Sequence, residues 1–404
     1  MKLSAMNVAG VMSGTSADGV DVAVVRIEAP SQPGRKDKGA ARLGHPDRPK
    51  LTLLAHEGFP YPAALRKAVL AAMNASATST AELARLNWRL GLEYAAAIHR
   101  TIKRHKLRID LAGCHGQTLY HQAAAAPYSG RRFTCTWQLG EPALIAAEIG
   151  VPVVSNFRPA DMASGGQGAP LVPLLDYVFF AHPQRGRVLQ NVGGIANLTA
   201  IPAGASPKDL IAFDTGPGNM VIDALTSKLI SKPFDRNGAV AARGLVLADV
   251  IEAELRLPYY RLKPPRSAGR EQFGREYAQS FVTACRKLSR RPEDAIATAT
   301  ALTAESIARS YIQFVREAMR GKPVDCIISG GGARNRTLMA MLASRLTSLG
   351  CTLTTTEEFG LPASAKEAAA FALLAWQTWH NLPGNVPAAT GAARPVILGQ
   401  VTYA

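Results

Sequence analysis

The chain begins with two apolar runs on either side of a polar turn. Valines precede the turn at residues 13–19, and further valines follow it in near alternation up to Ile27. The turn holds two glycines, several hydroxyl side chains and one carboxylate, Asp18. Because β-type runs that bound such a cluster are typical of a hairpin, we predict two antiparallel strands here. A third strand is predicted over residues 51–56.

The second half of the chain opens with a similar pattern. Apolar runs over residues 187–191, 195–201 and 210–213 predict three strands. Elsewhere in the chain, predicted strands alternate with segments whose apolar residues recur at helical spacing. This order predicts an α/β fold with an internal duplication. We place the first domain at residues 1–184 and the second at residues 185–404, and we expect the extreme C-terminus to pack back on the first domain.

Composition narrows the class of partner. Hydrophobic residues make up 47% of the 404 residues, which is enough to build sizeable cores, and the formal net charge is +16. A positive balance favours anionic partners, but no aromatic residues interleave the basic runs, including the one at residues 30–50, so we predict no nucleic-acid partner. No apolar run is long enough to span a membrane, and the five cysteines are widely spaced. These features predict a cytoplasmic protein with no membrane partner.

Glycine-rich turns are predicted at four strand ends. Backbone amides in such turns and at helix N-termini bind anions, so two similar halves with these turns indicate a nucleotide cleft between domains. A glycine in such a turn can also be present only because the turn has no room for a side chain. The candidates for binding ATP are Ser13, Gly14, Thr15, Ser16, Asp18, Gly19, Gly193, Gly194, Asp214, Gly216, Gly218, Asn219, Gly330, Gly331 and Gly332.

Two carboxylates in these turns are candidate metal or cap residues. Asp18 is suited to hold a metal ion directly or through water. Asp214 has two interpretations. It either holds the hydration shell of the metal or caps the helix that follows. The chain lacks Gly-x-x-x-x-Gly-Lys and a Gly-x-Gly-x-x-Gly that opens a βαβ unit, which argues against P-loop and Rossmann proteins.

The loop predicted over residues 155–170 carries a further candidate. Asp161 lies there with no acidic neighbour, is ionised at neutral pH, and is our candidate for the catalytic base. An aspartate in a loop also commonly holds a turn, and the residues alone leave both interpretations open. Arg158 either pairs with a phosphate or substrate carboxylate or forms a surface ion pair. His115 is interpreted as a buried or substrate-contacting side chain.

Eight segments together resemble the anhydro-N-acetylmuramic acid kinase family, within the actin, sugar-kinase and Hsp70-type ATPase superfamily. They run in order from residue 12 to beyond residue 370 and are MSGTSADGVD, GCHGQT, QLGEPALIA, SNFRPADMASGGQGAPLVP, NVGGIANLT, FDTGPGNMVID, ISGGGARN and SAKEAAAFALLA. The chain departs from the family in its basic insert after Pro30, around Arg131 and Arg132, and in the cysteine of GCHGQT.

The resemblance implies two duplicated actin-like, ribonuclease H-like domains around a central cleft that holds ATP and Mg²⁺. It implies a kinase that opens 1,6-anhydro-N-acetylmuramic acid with water, which Asp161 activates, and phosphorylates O6 to give N-acetylmuramic acid 6-phosphate. This is a step of cell-wall recycling, and the protein is expected to be a homodimer. The residues assigned to the amino-sugar substrate are His115, Gln117, Thr118, Gln138, Glu141, Arg158, Gly166 and Gln167.

Two other functions compete with this one. The first is a kinase for a different sugar or small alcohol on the same fold, and the second is a non-catalytic ATP-binding switch. The Asp161 loop favours an enzyme, because a switch does not require a carboxylate beside a glycine-rich sugar loop.

Overall fold

The computed structural model describes residues 5–14, 16–30, 48–73 and 75–404. Thr15, a predicted ATP-binding residue, and residues 31–47 of the basic insert lie outside the described residues. The chain divides into a first unit, Met1–Phe179 with Gly360–Ala404, and a second unit, Phe180–Phe359.

The strands of the described residues are listed in chain order. They are β1 (Met6–Ser13), β2 (Gly19–Glu28), β3 (Lys50–Pro60), β4 (Leu111–Tyr128), β5 (Arg131–Leu139), β6 (Val153–Ser155), β7 (Gly186–Val192), β8 (Ile195–Ile201), β9 (Ile211–Pro217), β10 (Val324–Ser329), β11 (Cys351–Thr355) and β12 (Gln400–Thr402).

The α-helices follow the same order. They are α1 (Ala63–Met73), α2 (Thr80–His105), α3 (Pro142–Ile149), α4 (Arg158–Ala163), α5 (Pro173–Phe180), α6 (Asn219–Ile230), α7 (Ala248–Glu254), α8 (Arg270–Phe273), α9 (Arg275–Arg286), α10 (Pro292–Ser310), α11 (Arg336–Thr347), α12 (Lys366–Trp379) and α13 (Pro387–Thr390). One π turn covers Tyr311–Val315, and short 3₁₀ turns cover Pro207–Asp209, Arg236–Gly238, Ala241–Arg243, Pro258–Arg261, Glu317–Met319, Gly331–Arg334, Thr356–Phe359 and Ala363–Ala365.

Each unit contains its own sheet, and the two sheets have the same order of five core strands. In the first unit the order is β12-β6-β4-β1-β2-β3, with β5 paired to β4, and in the second it is β11-β10-β7-β8-β9. In each, the first three strands form an antiparallel meander, and the next core strand lies parallel to the first strand on its other side, with one more parallel strand beyond it. This shared order confirms the predicted α/β class and internal duplication, and it is the order expected of an actin-like fold.

The first sheet packs between helices on its two faces. On one face α2 presents an apolar stripe at helical spacing, and Leu90 and Ile98 on this stripe are completely buried. On the other face α12 lies directly on the strands at two glycines. A β-carbon at Gly10 would lie 1.8 Å from Ala368 O, and one at Gly113 would lie 2.3 Å from Phe371 O. These glycines are therefore required for α12 to reach the sheet.

The first unit includes a longer C-terminal segment of the chain than we predicted from the sequence. We expected residues 185–404 to form the second domain, with only the extreme C-terminus returning to the first. In the structure the segment that joins the first unit begins at Gly360 and includes all of α12. The reason is that the apolar face of α12 is buried against β1, β2 and β4.

Three predicted turns or loops are partly regular structure. The polar residues at 114–118, which follow a short apolar run, predict a turn at a strand end, but they lie inside β4, where Gly116 has a φ of +76°. Residues 214–217, predicted as part of a turn, are the end of β9. The predicted loop at residues 155–170 contains helix α4. In each case glycine marks an irregularity within or beside an element, which a sequence does not distinguish from a turn. No described helix is both long enough and apolar enough to cross a bilayer.

Candidate active site

The turn after β1 is held from inside the first unit. The Ser13 hydroxyl accepts a hydrogen bond from Tyr61 Oη at 2.8 Å and lies 2.7 Å from Gln117 Oε1. The Gln117 amide also donates to Gly14 O at 3.2 Å, and both polar side chains are buried. The side chains of Ser13 and Gln117 thus support the turn, which leaves main-chain groups and the exposed Ser16 for the predicted contacts with phosphate.

The two glycines of this turn serve different purposes. A β-carbon at Gly19 would lie 2.2 Å from Phe59 O, so packing against β3 requires glycine there. A β-carbon at Gly14 would meet only Ser16 Oγ, at 3.8 Å, and Gly14 does not adopt a positive φ. The fold therefore does not require glycine at position 14. The open space beside its main chain suits the close approach of an anion such as a nucleotide phosphate.

Asp18 presents a largely exposed carboxylate. Its side chain is 71% exposed and its Oδ1 lies 3.0 Å from Arg66 Nη2. The part of the chain that the structure describes contains no group of three His, Cys, Asp or Glu side chains that would hold a metal. Mg²⁺ typically keeps several waters and uses one or two carboxylates together with substrate phosphates. The exposed Asp18 carboxylate suits the predicted contact through water.

The glycine turns of the second unit lie against one another. Gly218 N donates to Gly194 O at 2.9 Å, and Asn219 N donates to Gly193 O at 2.8 Å. The Asn219 side chain donates to Val192 O at 3.0 Å. The structure thus brings these predicted ATP-binding residues together. The amides of Gly218 and Asn219 are bonded to these carbonyls in the structure, and their contact with the nucleotide stays a prediction.

The turn after β10 joins the same cluster. Gly330 has a φ of +82°, and a β-carbon on it would lie 2.6 Å from Asn191 Oδ1. A β-carbon at Gly332 would lie 2.4 Å from the Val192 side chain. At Gly331 the nearest atom would be 3.3 Å away, and its φ is not positive. Gly330 and Gly332 are therefore explained by packing, whereas Gly331 leaves its main chain open to a ligand.

Asp214 lies near the end of β9 with a partly exposed carboxylate. Its Oδ2 accepts a hydrogen bond from Ala268 N at 2.7 Å, and burial raises the pKa of Asp214 to about 6. It does not cap α6, whose N-cap is Gly218, so the capping interpretation is wrong. Gly216, two residues on, packs against Ser306 with a φ of +150°.

Asp161, on α4, is completely buried. Its Oδ1 accepts hydrogen bonds from Asn385 Nδ2 and Thr390 Oγ1, both at 2.7 Å, and its Oδ2 accepts one from Gly168 N at 2.8 Å. A β-carbon at Gly166 would lie 2.2 Å from Oδ2, so this glycine covers the carboxylate. These contacts agree with the second interpretation from the sequence, in which Asp161 holds a turn.

Arg158 and His115 form a buried polar pair. Arg158 Nε donates to His115 Nε2 at 3.0 Å, so His115 carries its proton on Nδ1 and donates it to Gly116 O at 2.7 Å. Burial, with the charge of Arg158, lowers the pKa of His115 well below its usual value. Arg158 also donates to Gly168 O at 2.7 Å. Both His115 nitrogens are thus bonded to the protein, which fits a positioning role rather than proton transfer.

The charge of Arg158 has no carboxylate at ion-pair distance among the described residues, so the surface ion pair is wrong. Burial lowers the pKa of Arg158 to about 10, and the nearby Glu367 carboxylate acts in the opposite direction. The guanidinium therefore stays charged at neutral pH. Its side chain is only partly exposed, which is the setting in which an arginine binds an anion tightly.

Two polar residues near Arg158 were not predicted from the sequence. His121 Nδ1 lies 3.0 Å from Thr136 Oγ1, and burial together with the charge of Arg158 lowers the pKa of His121. Glu367 lies in the first turn of α12, and burial raises its pKa. A lone carboxylate at the start of an alanine-rich apolar helix was the signal for Glu367. No local pattern distinguished His121.

Two further candidates for binding the substrate, Gln138 and Glu141, differ in whether their side chains have an atom left for a ligand. The Gln138 amide donates to Thr136 Oγ1 at 2.7 Å and to Thr118 Oγ1 at 3.3 Å, while its Oε1 is buried without a partner among the described residues. Glu141 is the N-cap of α3, with Oε1 accepting from the first turn and Oε2 accepting from Asn87 at 3.0 Å. Gln138 thus leaves an acceptor for a ligand, whereas both oxygens of Glu141 support the fold.

The chain is similar to known proteins over nearly its whole length. The family model described as anhydro-N-acetylmuramic acid kinase matches residues 6–404. A protein of that name from a strain of Bacillus cereus is 41% identical over 401 residues, covering 98% of this chain and 99% of the relative. One from Bacillus thuringiensis subsp. konkukian (strain 97-27) is 39% identical with the same coverage.

Similarity to solved structures is weaker. The activator of the 2-hydroxyisocaproyl-CoA dehydratase from Clostridium difficile, with bound ADPNP, aligns over 92% of this chain and 95% of that chain. Its TM-score is 0.40 and its sequence identity is 10%, a level at which no conclusion about function follows.

Proposed function

Because the chain belongs to the anhydro-N-acetylmuramic acid kinase family, we propose that it converts 1,6-anhydro-N-acetylmuramic acid and ATP to N-acetylmuramic acid 6-phosphate and ADP in cell-wall recycling. Water adds to the anomeric carbon, the bond from that carbon to O6 breaks, and O6 takes the γ-phosphoryl group. The observation that carries this proposal is the family match, which extends through both units.

The main chain at two open glycines would hold the nucleotide phosphates. The amides around Gly14 and the exposed Gly331 have the room for this. No fold contact explains glycine at position 14, and at position 331 a β-carbon would meet only the end of the Asn219 side chain, at 3.3 Å. Asp18 would hold Mg²⁺ through water. When bound, ATP supplies the phosphoryl group, and phosphoryl transfer depends mostly on positioning and charge neutralisation.

Asp161 is the proposed proton acceptor. The resemblance implies this role, and the buried carboxylate is held in one orientation by hydrogen bonds from Asn385, Thr390 and Gly168. A base that acts on a bound water requires such fixed positioning. We propose that Asp161 takes the proton of the attacking water. Asp214, which is partly exposed and whose pKa burial raises to about 6, is the competing candidate.

Arg158 is proposed to bind the lactyl carboxylate of the sugar. Its guanidinium stays charged, is fixed by two hydrogen bonds, and has no carboxylate partner among the described residues. The unpartnered Gln138 Oε1 would accept a hydrogen bond from the sugar. On this basis N-acetylglucosamine, which lacks the lactyl group, should be a poor substrate, and Arg158→Met should reduce the preference for the lactyl sugar.

The deciding experiment measures phosphate transfer from ATP to the anhydro sugar, with N-acetylglucosamine and N-acetylmuramic acid as alternative acceptors. Phosphorylation of the anhydro sugar alone supports the proposal, whereas preference for another acceptor supports a different sugar kinase. Binding of ATP without transfer to any sugar supports the non-catalytic switch.

Matched variants test the proton acceptor. Asp161→Asn should abolish transfer, at a temperature where circular dichroism shows it folded, while binding of a non-hydrolysable ATP analogue persists, because the amide cannot accept the proton. Asp214→Asn should keep measurable turnover. The reverse pattern would make Asp214 the base. Mg²⁺ dependence, a cytoplasmic location and a homodimer stay predictions of this proposal.

A further inference from the structure

The C-terminal segment, residues 385–396, is bonded to the loop that carries Asp161. Both belong to the first unit, although they are far apart in the sequence. Gln167 N donates to Thr390 O at 2.8 Å, and Ala393 N donates to Ser164 O at 2.8 Å. These main-chain bonds hold the C-terminal segment and the Asp161 loop in one register, so that side chains of the segment reach the carboxylate.

Asn385 has only one orientation of its amide that satisfies its neighbours. Val396 N donates to Asn385 Oδ1 at 2.7 Å, which fixes Oδ1 as the acceptor. The amide nitrogen then donates to Asp161 Oδ1 at 2.7 Å and to Arg394 O at 3.3 Å. A reversed amide would set a donor against Val396 N and an acceptor against the carboxylate. Asn385 therefore presents a fixed donor to Asp161.

The Thr390 hydroxyl is fixed in a similar way. Its Oγ1 lies 2.7 Å from Asp161 Oδ1 and 3.5 Å from Val386 O, and it accepts a hydrogen bond from Ala392 N at 3.4 Å. The single hydroxyl proton belongs to the shorter bond, because a hydrogen bond to a carboxylate is charge-assisted and stronger. Thr390 is completely buried. It is the second side chain of the C-terminal segment that donates to Asp161.

These two donors act on the same oxygen of the carboxylate. Oδ1 of Asp161 accepts from Asn385 and Thr390, which uses both of its lone pairs. Among the described residues, Oδ2 accepts only from Gly168 N, at 2.8 Å, so one lone pair of Oδ2 is left to take a proton. Rotation of the carboxylate would break the two short bonds to Oδ1. The C-terminal segment thus fixes the direction of the free lone pair.

We propose that Asn385 and Thr390 are positioning residues of Asp161, which anchor Oδ1 so that Oδ2 takes the proton of the attacking water. As the water oxygen bonds to the anomeric carbon, its proton passes to Oδ2, and O6 leaves that carbon with the bonding electron pair. The inference rests on the proposed role of Asp161 as proton acceptor. Neither positioning residue touches a reacting atom in this scheme.

The test compares two buried threonines of the first unit in transfer from ATP to the anhydro sugar. Thr390→Val removes a donor to Asp161, whereas Thr378→Val removes a hydroxyl that is bonded to the carbonyls of Leu374 and Leu398. Both variants should have a lower Tm. Only Thr390→Val should lower kcat, by about 100-fold, the cost of a misplaced catalytic group, and its KM for both substrates should stay nearly unchanged.

The rates are measured at a temperature where circular dichroism shows each variant folded. Asn385→Leu, which has a similar shape but no donor, should lower kcat in the same way as Thr390→Val. Equal losses of kcat in Thr390→Val and Thr378→Val would mean that the contact is merely structural and would overturn the proposal. A folded Thr390→Val or Asn385→Leu with the wild-type kcat would also overturn it.

A second pair of variants keeps the test decisive if Thr390→Val does not fold. Thr390→Ser keeps the hydroxyl and should retain kcat, whereas Thr390→Cys differs from it by one atom, is a weak donor, and should lower kcat at unchanged KM. The same kcat in these two variants would contradict the proposal. Full turnover in a folded Asp161→Asn would instead reject the proposed base, independently of the C-terminal segment.

Discussion

The hydrogen bonds around Asp161 predict a large loss of stability in Asp161→Asn. Asn385 Nδ2 and Gly168 N are donors only, whereas the Thr390 hydroxyl can donate or accept. An asparagine offers one acceptor and one donor group, so at least one of the three bonds becomes a contact between two donors. A hydrogen bond to a charged group is worth about 1.5–3 kcal/mol. For a unit of this size that corresponds to a fall in Tm of about 3–12 °C.

Thermal unfolding followed by circular dichroism measures this effect, and Thr390 provides the matched control. Thr390→Val removes one donor to Asp161 at nearly constant shape, whereas Thr390→Ser keeps the hydroxyl. We expect Thr390→Val to be the less stable of the two. The reasoning is refuted if Asp161→Asn unfolds at the wild-type temperature, or if the two Thr390 variants have the same Tm.

Three other predictions concern residues elsewhere in the two units. A fall in kcat/KM below pH about 6, where Asp214 becomes protonated, would favour Asp214 over Asp161 as the base, and we expect the pH–rate profile to show no such fall near pH 6. Gly14→Ala should keep the wild-type Tm but weaken calorimetric binding of an ATP analogue, whereas Gly332→Ala should cost about 1–3 kcal/mol from overpacking. Lys366→Met should cost about 3–5 kcal/mol in denaturant unfolding because it leaves Asp176 buried and unpaired, and the double variant with Asp176→Leu should recover most of that loss.

Local patterns are enough to predict an element whose causes are local. Helix α2 begins where Ser79 accepts a hydrogen bond from Glu82 N, and its buried residues recur at helical spacing, both of which can be read from consecutive residues. The hairpin of β1 and β2 follows from its alternating valines in the same way. The ends of such elements can be predicted from the residues of the element and its immediate neighbours.

Contacts between segments that are far apart in the sequence could not be predicted from local patterns. Asp161 bonds Asn385 and Thr390, which are 224 and 229 residues away, and no pattern near Asp161 indicates them. A loop aspartate therefore fitted a catalytic base as well as a residue that holds a turn. Gly116 was misread for a different reason, because a positive φ within a strand and one in a turn require the same residue.

The duplication explains why candidate phosphate turns occur in both units. In each sheet the first strand lies parallel to the next core strand, and both pairs end in facing polar residues, Ser13 with Gln117 and Asn191 with Ser329. Gln117 donates to the turn that follows the first strand of the first unit, and Asn191, on the first strand of the second unit, lies against Gly330 in the turn after β10. Carboxyl ends of parallel strands are where α/β sheets bind ligands. Each unit thus carries its candidate binding residues at the same edge of its own sheet. The two edges differ in the nearby carboxylate, because burial raises the pKa of Asp214 whereas Asp18 is largely exposed.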